Sequence, residues 1–194
     1  MFLTREDGIV ENISAIFYLV GFLVSFSSIF KNERVLLASV WAALCLLFLG
    51  EETSWFQRLL HYSVPFVEER NAQHEFNLHN LVIFTGRPLR DALGELDFNV
   101  LLNVSLEAQN LFQIGFFVYF LIIPFSLHIS KINTLMSSIG YKKPDTSFIL
   151  VIFFIIALSF FLAAYCSLDI KSALAETREM LYAYFILVYI KTYI

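Results

Sequence analysis

Two polar blocks between long apolar segments hold most of the side chains that could do chemistry. The first runs from Gly50 to Arg58 and reads GEETSWFQR, and the second runs from Asn71 to Asn80 and reads NAQHEFNLHN. Carboxylate, imidazole and amide groups can transfer protons, bind cations or hydrogen-bond a substrate. These blocks predict a functional site, whose candidates for general acid or base are Glu52, Glu75 and His79.

Two spacings are typical of carboxylate-rich metal centres. Glu75 and His79 are four residues apart, and Glu176 and Glu179 are three apart, so each pair would share one face of a helix. Helix bundles use such pairs to hold metal ions, and hard divalent cations or iron suit oxygen-rich ligand sets. The candidate ligands of a divalent metal are Glu11, Glu51, Glu75, His79, Glu176 and Glu179.

The remaining polar residues of the two blocks are candidates for substrate binding: Ser54, Trp55, Gln57, Arg58, Asn71, Gln73, Asn77 and Asn80. Arg58 would position an anionic group such as a lipid phosphate. Two other interpretations stay open. The same groups could form a purely structural hydrogen-bond network in which Arg58 holds two carboxylates. They could also form a metal-free site, because repulsion among carboxylates favours a protonated carboxyl that serves as general acid.

Composition places these blocks in a membrane protein. Of the 194 residues, 58% are hydrophobic and 15% are charged, and the mean hydropathy is +0.70. A soluble domain carries roughly 25% charged residues. Cys45 and Cys166 both lie in apolar runs and form no C-x-x-C pair, which argues against a disulfide framework or a thiolate zinc site. The sequence has no basic aromatic patch, so nucleic acid is not an expected partner.

The apolar runs predict an all-α fold, a polytopic membrane helix bundle with about five spans in a single domain, 1–194. A long extracytoplasmic loop of short interfacial helices, residues 51–105, would carry both polar blocks. Within this loop, His61 to Pro65 predicts a break between two short helices, because proline disfavours helix at the preceding residue. The predicted spans are 9–30, 35–50, 106–129, 147–167 and 180–194.

The distribution of charge predicts the orientation. Residues 31–34, residues 131–145 and the C-terminus carry six of the 13 basic residues and only two of the 17 acidic ones. Short lysine-rich loops stay in the cytoplasm. The expected location is therefore the inner membrane of a bacterium, with the N-terminus and the 51–105 loop in the periplasm and the C-terminus in the cytoplasm. This topology brings the acidic residues of both termini to one side of the membrane.

The polar residues resemble the pattern of a family of uncharacterised bacterial multi-pass membrane proteins. The matching motifs are R-E-D-G-x-x-E at Arg5 to Glu11, G-E-E-x-S-W-x-Q-R at Gly50 to Arg58, N-x-Q-x-E-x-N-L-H-N at Asn71 to Asn80, and E-x-x-E at Glu176 and Glu179. The resemblance implies that these residues act together, and it supplies no reaction. Phe56 and His74 stand where the pattern has glycine, which suggests tighter packing at both points.

The leading hypothesis is an integral membrane protein with an outward-facing carboxylate, amide and histidine site. It would act as a metal-dependent hydrolase or transferase on a lipid-like substrate. The alternative is a non-catalytic membrane subunit or scaffold whose polar cluster is structural; a transporter is a third hypothesis, weakened by the little room that five short spans leave for a pathway. The expected partners are membrane lipid and either another protein or a second copy of the chain.

Overall fold

The computed structural model describes residues 8–31, 34–71, 74–77 and 108–194, and the elements of this part of the chain are helical, without a strand. The all-α prediction is confirmed for these residues. The helices are α1 (Ile9–Ile29), α2 (Val35–Glu52), α3 (Gln57–Leu60), α4 (Pro65–Glu68), α5 (Ala108–Phe117), α6 (Ile123–Ser126), α7 (Ser130–Ser138), α8 (Thr146–Tyr165) and α9 (Leu168–Tyr193).

Three of the described helices are long and apolar enough to cross a membrane. They are α1, α2 and α8, and they correspond to three of the five predicted spans. Many of their large apolar side chains face outward; Leu23 is 53% exposed and Phe154 is 67% exposed. Such exposure is unfavourable in water and favourable in lipid, so it fits helices that cross a bilayer.

The third predicted span, 106–129, is interrupted within its described part. A π-helical stretch, Val118–Ile122, joins α5 to α6, and Pro124 follows in the first turn of α6. Proline has no N–H to donate and its ring crowds the preceding turn, and a π-bulge relieves that conflict. The fifth predicted span, 180–194, is the second half of α9, which already begins at Leu168.

The described residues of Met1–Glu52 form one compact unit with Tyr119–Ile194. In this first unit α1 packs along α2 and α9, and α8 packs on α9. The approach of α1 to α2 depends on small side chains, because a Cβ atom at Gly21 would lie 3.0 Å from the Cys45 Sγ atom. Cys45 is completely buried by this contact and its neighbours.

The described residues of Thr53–Val118 form a second compact unit, which contains α3, α4 and α5. It opens with Ser54, Trp55 and Phe56, three successive residues with positive φ, at 47°, 52° and 63°. His61, which ends α3, and His74 also have positive φ. L-residues adopt this conformation at a cost of roughly 1–2 kcal/mol each, whereas glycine adopts it freely. Phe56 and His74 therefore have a backbone conformation that glycine would adopt at lower cost.

Candidate functional site

The first unit gathers five glutamates, which we call the carboxylate cluster: Glu11, Glu51, Glu52, Glu176 and Glu179. Glu11 lies in the first turn of α1, Glu51 and Glu52 end α2, and the other two lie in the first half of α9. Because α1 begins where the antiparallel α2 ends and α9 packs along α1, these helix ends meet. Electrostatic interactions join Glu52 to the other four residues, and Glu179 is the strongest partner.

Glu52 is the half-buried residue on which these interactions converge. Every charged side chain that acts on it within the described part of the chain is a carboxylate. Its carboxylate accepts no hydrogen bond from a described residue. The buried Tyr18 interacts electrostatically with both Glu52 and Glu179. Repulsion between carboxylates at membrane depth costs free energy unless a proton or another cation compensates the charge.

Arg178 is the cation nearest to this cluster along α9. It is only 8% exposed, and its guanidinium lies 4.1 Å from the centroid of the Phe160 ring of α8. Its Nε atom makes no hydrogen bond with any residue that the structure describes. This cation–π contact joins α8 to α9 and places a buried positive charge one residue from Glu179.

The predicted metal ligands do not complete a metal site in the described part of the chain. No three His, Cys, Asp or Glu side chains of residues 8–31, 34–71, 74–77 and 108–194 are arranged to hold a metal ion. His79 lies outside the described residues. Glu75 belongs to the second unit, and its surroundings are described below. The metal centre stays a prediction.

In the second unit, Glu75 belongs to a hydrogen-bonded network that joins the two polar blocks. Ser54 donates to Glu75 Oε2 at 2.6 Å, and the Asn77 amide approaches the same oxygen at 3.4 Å. The Asn71 amide donates to the backbone and side-chain oxygens of Asn77, at 2.8 Å each. Ser54, Asn71 and Asn77 are each at most 3% exposed. These bonds satisfy buried polar groups, which is a structural role.

A second set of bonds in this unit centres on Gln57 and Glu68. The Gln57 amide donates to Glu68 at 2.6 Å, and its oxygen accepts the Phe76 N–H at 2.6 Å. Glu68 also accepts the Ser63 hydroxyl and the Val64 N–H, at the start of α4. The Ser63 bond, followed by the Val64 bond, lowers the pKa of Glu68 below its usual value.

Trp55 has a different setting from its polar neighbours. With Val67, Phe76 and Asn77 it lines a cavity of about 240 Å³. This volume lies below the roughly 300–1,000 Å³ of sites for whole small molecules, and it suits part of a chain or ring. Tyr62 supports the wall, since its ring packs 5.8 Å from that of Phe76 and its hydroxyl donates to the Trp55 carbonyl.

Four predicted residues lie beyond what the structure describes. They are Gln73, His79 and Asn80 and, for its side chain, Arg58.

No family model, curated protein or solved structure matches this chain. The resemblance to uncharacterised bacterial membrane proteins therefore stays a prediction, and the residues themselves must carry the functional interpretation.

Two residues of these sites are absent from the sequence-based prediction. Glu68 could have been found, because a glutamate in the first turn of a helix that begins with proline often bonds to the N-terminal backbone. Arg178 has a weaker signal, namely a lone cation between Glu176 and Glu179. Its partner Phe160 lies on another helix, and the sequence offers no means of choosing it among 22 phenylalanines.

Proposed function

We propose that this chain is an integral membrane protein that uses the carboxylate cluster to hydrolyse a lipid-like substrate or to transfer a group to it. Three helices long and apolar enough to cross a bilayer support the membrane location. One of them, α1, begins at the cluster, and another, α2, ends there. A reaction there would draw its substrate from the surrounding lipid.

The observation that carries this proposal is the electrostatic setting of Glu52. Four carboxylates from three helices act on it, and among the described residues no cation or hydrogen-bond donor acts on Glu52 itself. A protein tolerates such repulsion when the group exchanges protons or receives a cationic partner. Glu52 would therefore give a proton to the leaving group and take one from the attacking hydroxyl or water. Glu11, Glu51, Glu176 and Glu179 would maintain the negative field around it.

The roles of the other predicted residues follow from where they lie. Trp55 and its cavity suit an aliphatic or ring portion of an amphipathic molecule. Ser54, Gln57, Asn71 and Asn77 hold the loop in shape, so their effect on substrate would be indirect. Binding of an anionic group by Arg58, and catalysis or metal binding by His79, belong to this proposal as predictions. A divalent metal would need His79 or another residue from outside the described ranges.

The proposed topology has five spans in the inner membrane, with the N-terminus and the 51–105 loop in the periplasm and the C-terminus in the cytoplasm. Two contacts support the grouping of the basic segments. Arg34, after α1, donates to the Tyr193 carbonyl at 2.7 Å, and Gly140 packs on the Arg34 side chain. The basic ends of these segments thus meet, as the carboxylate ends do.

The test is lipid turnover by the detergent-purified chain and its Glu52→Gln variant. Both are incubated with a total phospholipid extract, and the products are measured by mass spectrometry. Loss of a general acid or base lowers the rate by about 10²–10⁴-fold, so we expect Glu52→Gln to lose at least about 100-fold. Glu68→Gln is the matched control, and it should keep the wild-type rate. An active Glu52→Gln protein would contradict the proposal.

Metal dependence is measured on the same preparations. We expect a stoichiometric divalent metal in the wild type and its loss from a folded His79→Ala variant. If the wild-type protein turns over lipid without bound metal, the metal-dependent mechanism is excluded and the metal-free acid/base mechanism is supported.

A non-catalytic membrane subunit is the second candidate. The network of Ser54, Asn71, Glu75 and Asn77 favours it, because every bond described there satisfies the loop itself. In this alternative the loop would present a rigid surface to a protein partner or a second copy. No lipid product from the folded wild type, together with co-purification of a stoichiometric partner, would support this function over the first.

A further inference from the structure

The segment between α6 and α8 is a basic, amphipathic surface at one end of the first unit. Helix α7 has nine residues, about 13.5 Å at 1.5 Å per residue, so it is too short to span a bilayer. Its apolar side chains recur at the spacing of one helix face: Ile132, Leu135, Met136 and, just beyond the helix, Ile139. Leu135 is 58% exposed and the other three are partly covered, so the protein leaves part of this apolar face open.

Three lysines flank that face, and all are exposed: Lys131, Lys142 and Lys143. None of them forms an ion pair with a residue that the structure describes. Residues 119–145 contain one acidic residue, Asp145. It is already engaged by Tyr193, whose hydroxyl donates to Asp145 Oδ2 at 3.0 Å. Three lysines against this single aspartate leave the segment with a net positive charge.

Hydrogen bonds from tyrosine hydroxyls anchor the backbone at Lys142 and the preceding Tyr141. Tyr189 of α9 donates to the Lys142 carbonyl at 3.0 Å, and Tyr141 donates to the Tyr119 carbonyl at 3.3 Å. Gly140 has a φ of 79°, and a Cβ atom there would lie 3.3 Å from Arg34 Cγ. Glycine is thus required both by the turn and by the close approach to Arg34. This anchoring places Lys142 and Lys143 beside the end of α9.

We propose that this surface binds the headgroups of anionic phospholipids, with α7 lying in the plane of the membrane interface. Leu135 and its apolar neighbours would enter the acyl boundary, and the three lysines would contact lipid phosphates. Interfacial helices combine an apolar face with basic flanks in this way. The surface continues directly into α8, a helix apolar enough to cross the bilayer, so it stands at the height of the headgroups. The charge complementarity selects anionic over zwitterionic lipid.

The test is native mass spectrometry of the full chain in detergent, titrated with phosphatidylglycerol or phosphatidylcholine of identical acyl chains. We expect the wild type to prefer phosphatidylglycerol. Each of Lys131→Gln, Lys142→Gln and Lys143→Gln should weaken phosphatidylglycerol binding about fivefold, and the triple variant about 100-fold. Lys171→Gln is the matched control, since it removes an exposed lysine from the opposite end of α9. It should leave the lipid preference unchanged.

A second measurement uses the wild type and does not depend on variant folding. Raising the salt concentration should weaken phosphatidylglycerol binding and leave phosphatidylcholine binding unaltered, because exposed charges are screened. Equal affinity for the two lipids, or an equal loss in Lys171→Gln, would overturn the proposal. The proposal would also be overturned if the lysine substitutions weakened the binding of a soluble polyanion such as polyphosphate but did not weaken the binding of phosphatidylglycerol.

Discussion

Two groups of glutamates in this chain have opposite surroundings. In the first unit, Glu52 has only other carboxylates as charged neighbours among the described residues. In the second unit, Glu75 and Glu68 each accept hydrogen bonds from hydroxyl or amide groups. Hydrogen-bond donors compensate the charge of Glu68 and Glu75, whereas Glu52 would still require a proton or a cation. The sequence alone makes Glu52 and Glu75 equal candidates for catalysis, and their surroundings favour the proposed chemistry at Glu52 and a structural role for Glu75.

Substitution of each glutamate by glutamine should change the free energy of unfolding by different amounts at the two positions. Glu75→Gln weakens a bond from a buried hydroxyl to a charged acceptor, and such bonds contribute about 1.5–3 kcal/mol. We expect Glu75→Gln to lower the free energy of unfolding by about 2 kcal/mol. Glu52→Gln removes repulsion and should leave stability unchanged or raise it. Denaturant titration in detergent at pH 7 measures both. Equal losses in the two variants would remove the distinction between the groups.

Replacing positive-φ residues of the second unit with glycine should raise the free energy of unfolding by a smaller amount. Phe56→Gly and His74→Gly each replace an L-residue with one that adopts positive φ freely, so we expect a gain of about 1 kcal/mol from each. Phe66→Gly is the control, because Phe66 is exposed and lies within α4, where glycine costs about 1 kcal/mol. Thermal unfolding distinguishes them. Destabilisation by both glycines at positions 56 and 74 would mean that the aromatic side chains contribute more than the strain costs.

The smallest effect concerns the pH dependence of α4. The pKa of Glu68 is lowered from 4.5 by its bonds to Ser63 and Val64, so its folded pKa lies below the unfolded value. Its contribution to stability is therefore complete above about 4.5 and is lost as the pH falls through the folded pKa. The protection factor of the Val64 amide, which compares its hydrogen-exchange rate with that of the unfolded chain at the same pH, should fall in acid in the wild type. In Glu68→Gln the protection factor should already be lower at neutral pH and should lack this acid-dependent step.

Elements set by local patterns could be predicted from the sequence. Apolar runs predicted α1, α2 and α8, and Pro65 predicted the break after α3. The last span was predicted to begin at 180, whereas α9 begins at Leu168, because the polar residues of 169–179 obscure the strong helix formers Ala, Leu, Glu and Arg among them. The topology predicted from the apolar runs and the charge distribution places Glu11, Glu52 and Glu179 on one side of the membrane, and the structure brings the three residues together.

The rest of the site depends on contacts that no local pattern encodes. Ser54 reaches Glu75 through three successive left-handed residues, and the propensities of serine, tryptophan and phenylalanine disfavour that conformation. Tertiary hydrogen bonds override them. The cation–π contact of Arg178 likewise depends on how α8 and α9 pack.

The close fit of Gly21 against Cys45 has a practical consequence. It seals one of the two thiols of this chain inside the helix pair, while Cys166 follows the end of α8 and is only partly covered. The wild-type chain thus offers a single addressable thiol to a maleimide. A membrane-impermeant maleimide applied to intact cells would report, without any engineered cysteine, on which face of the bilayer α8 ends.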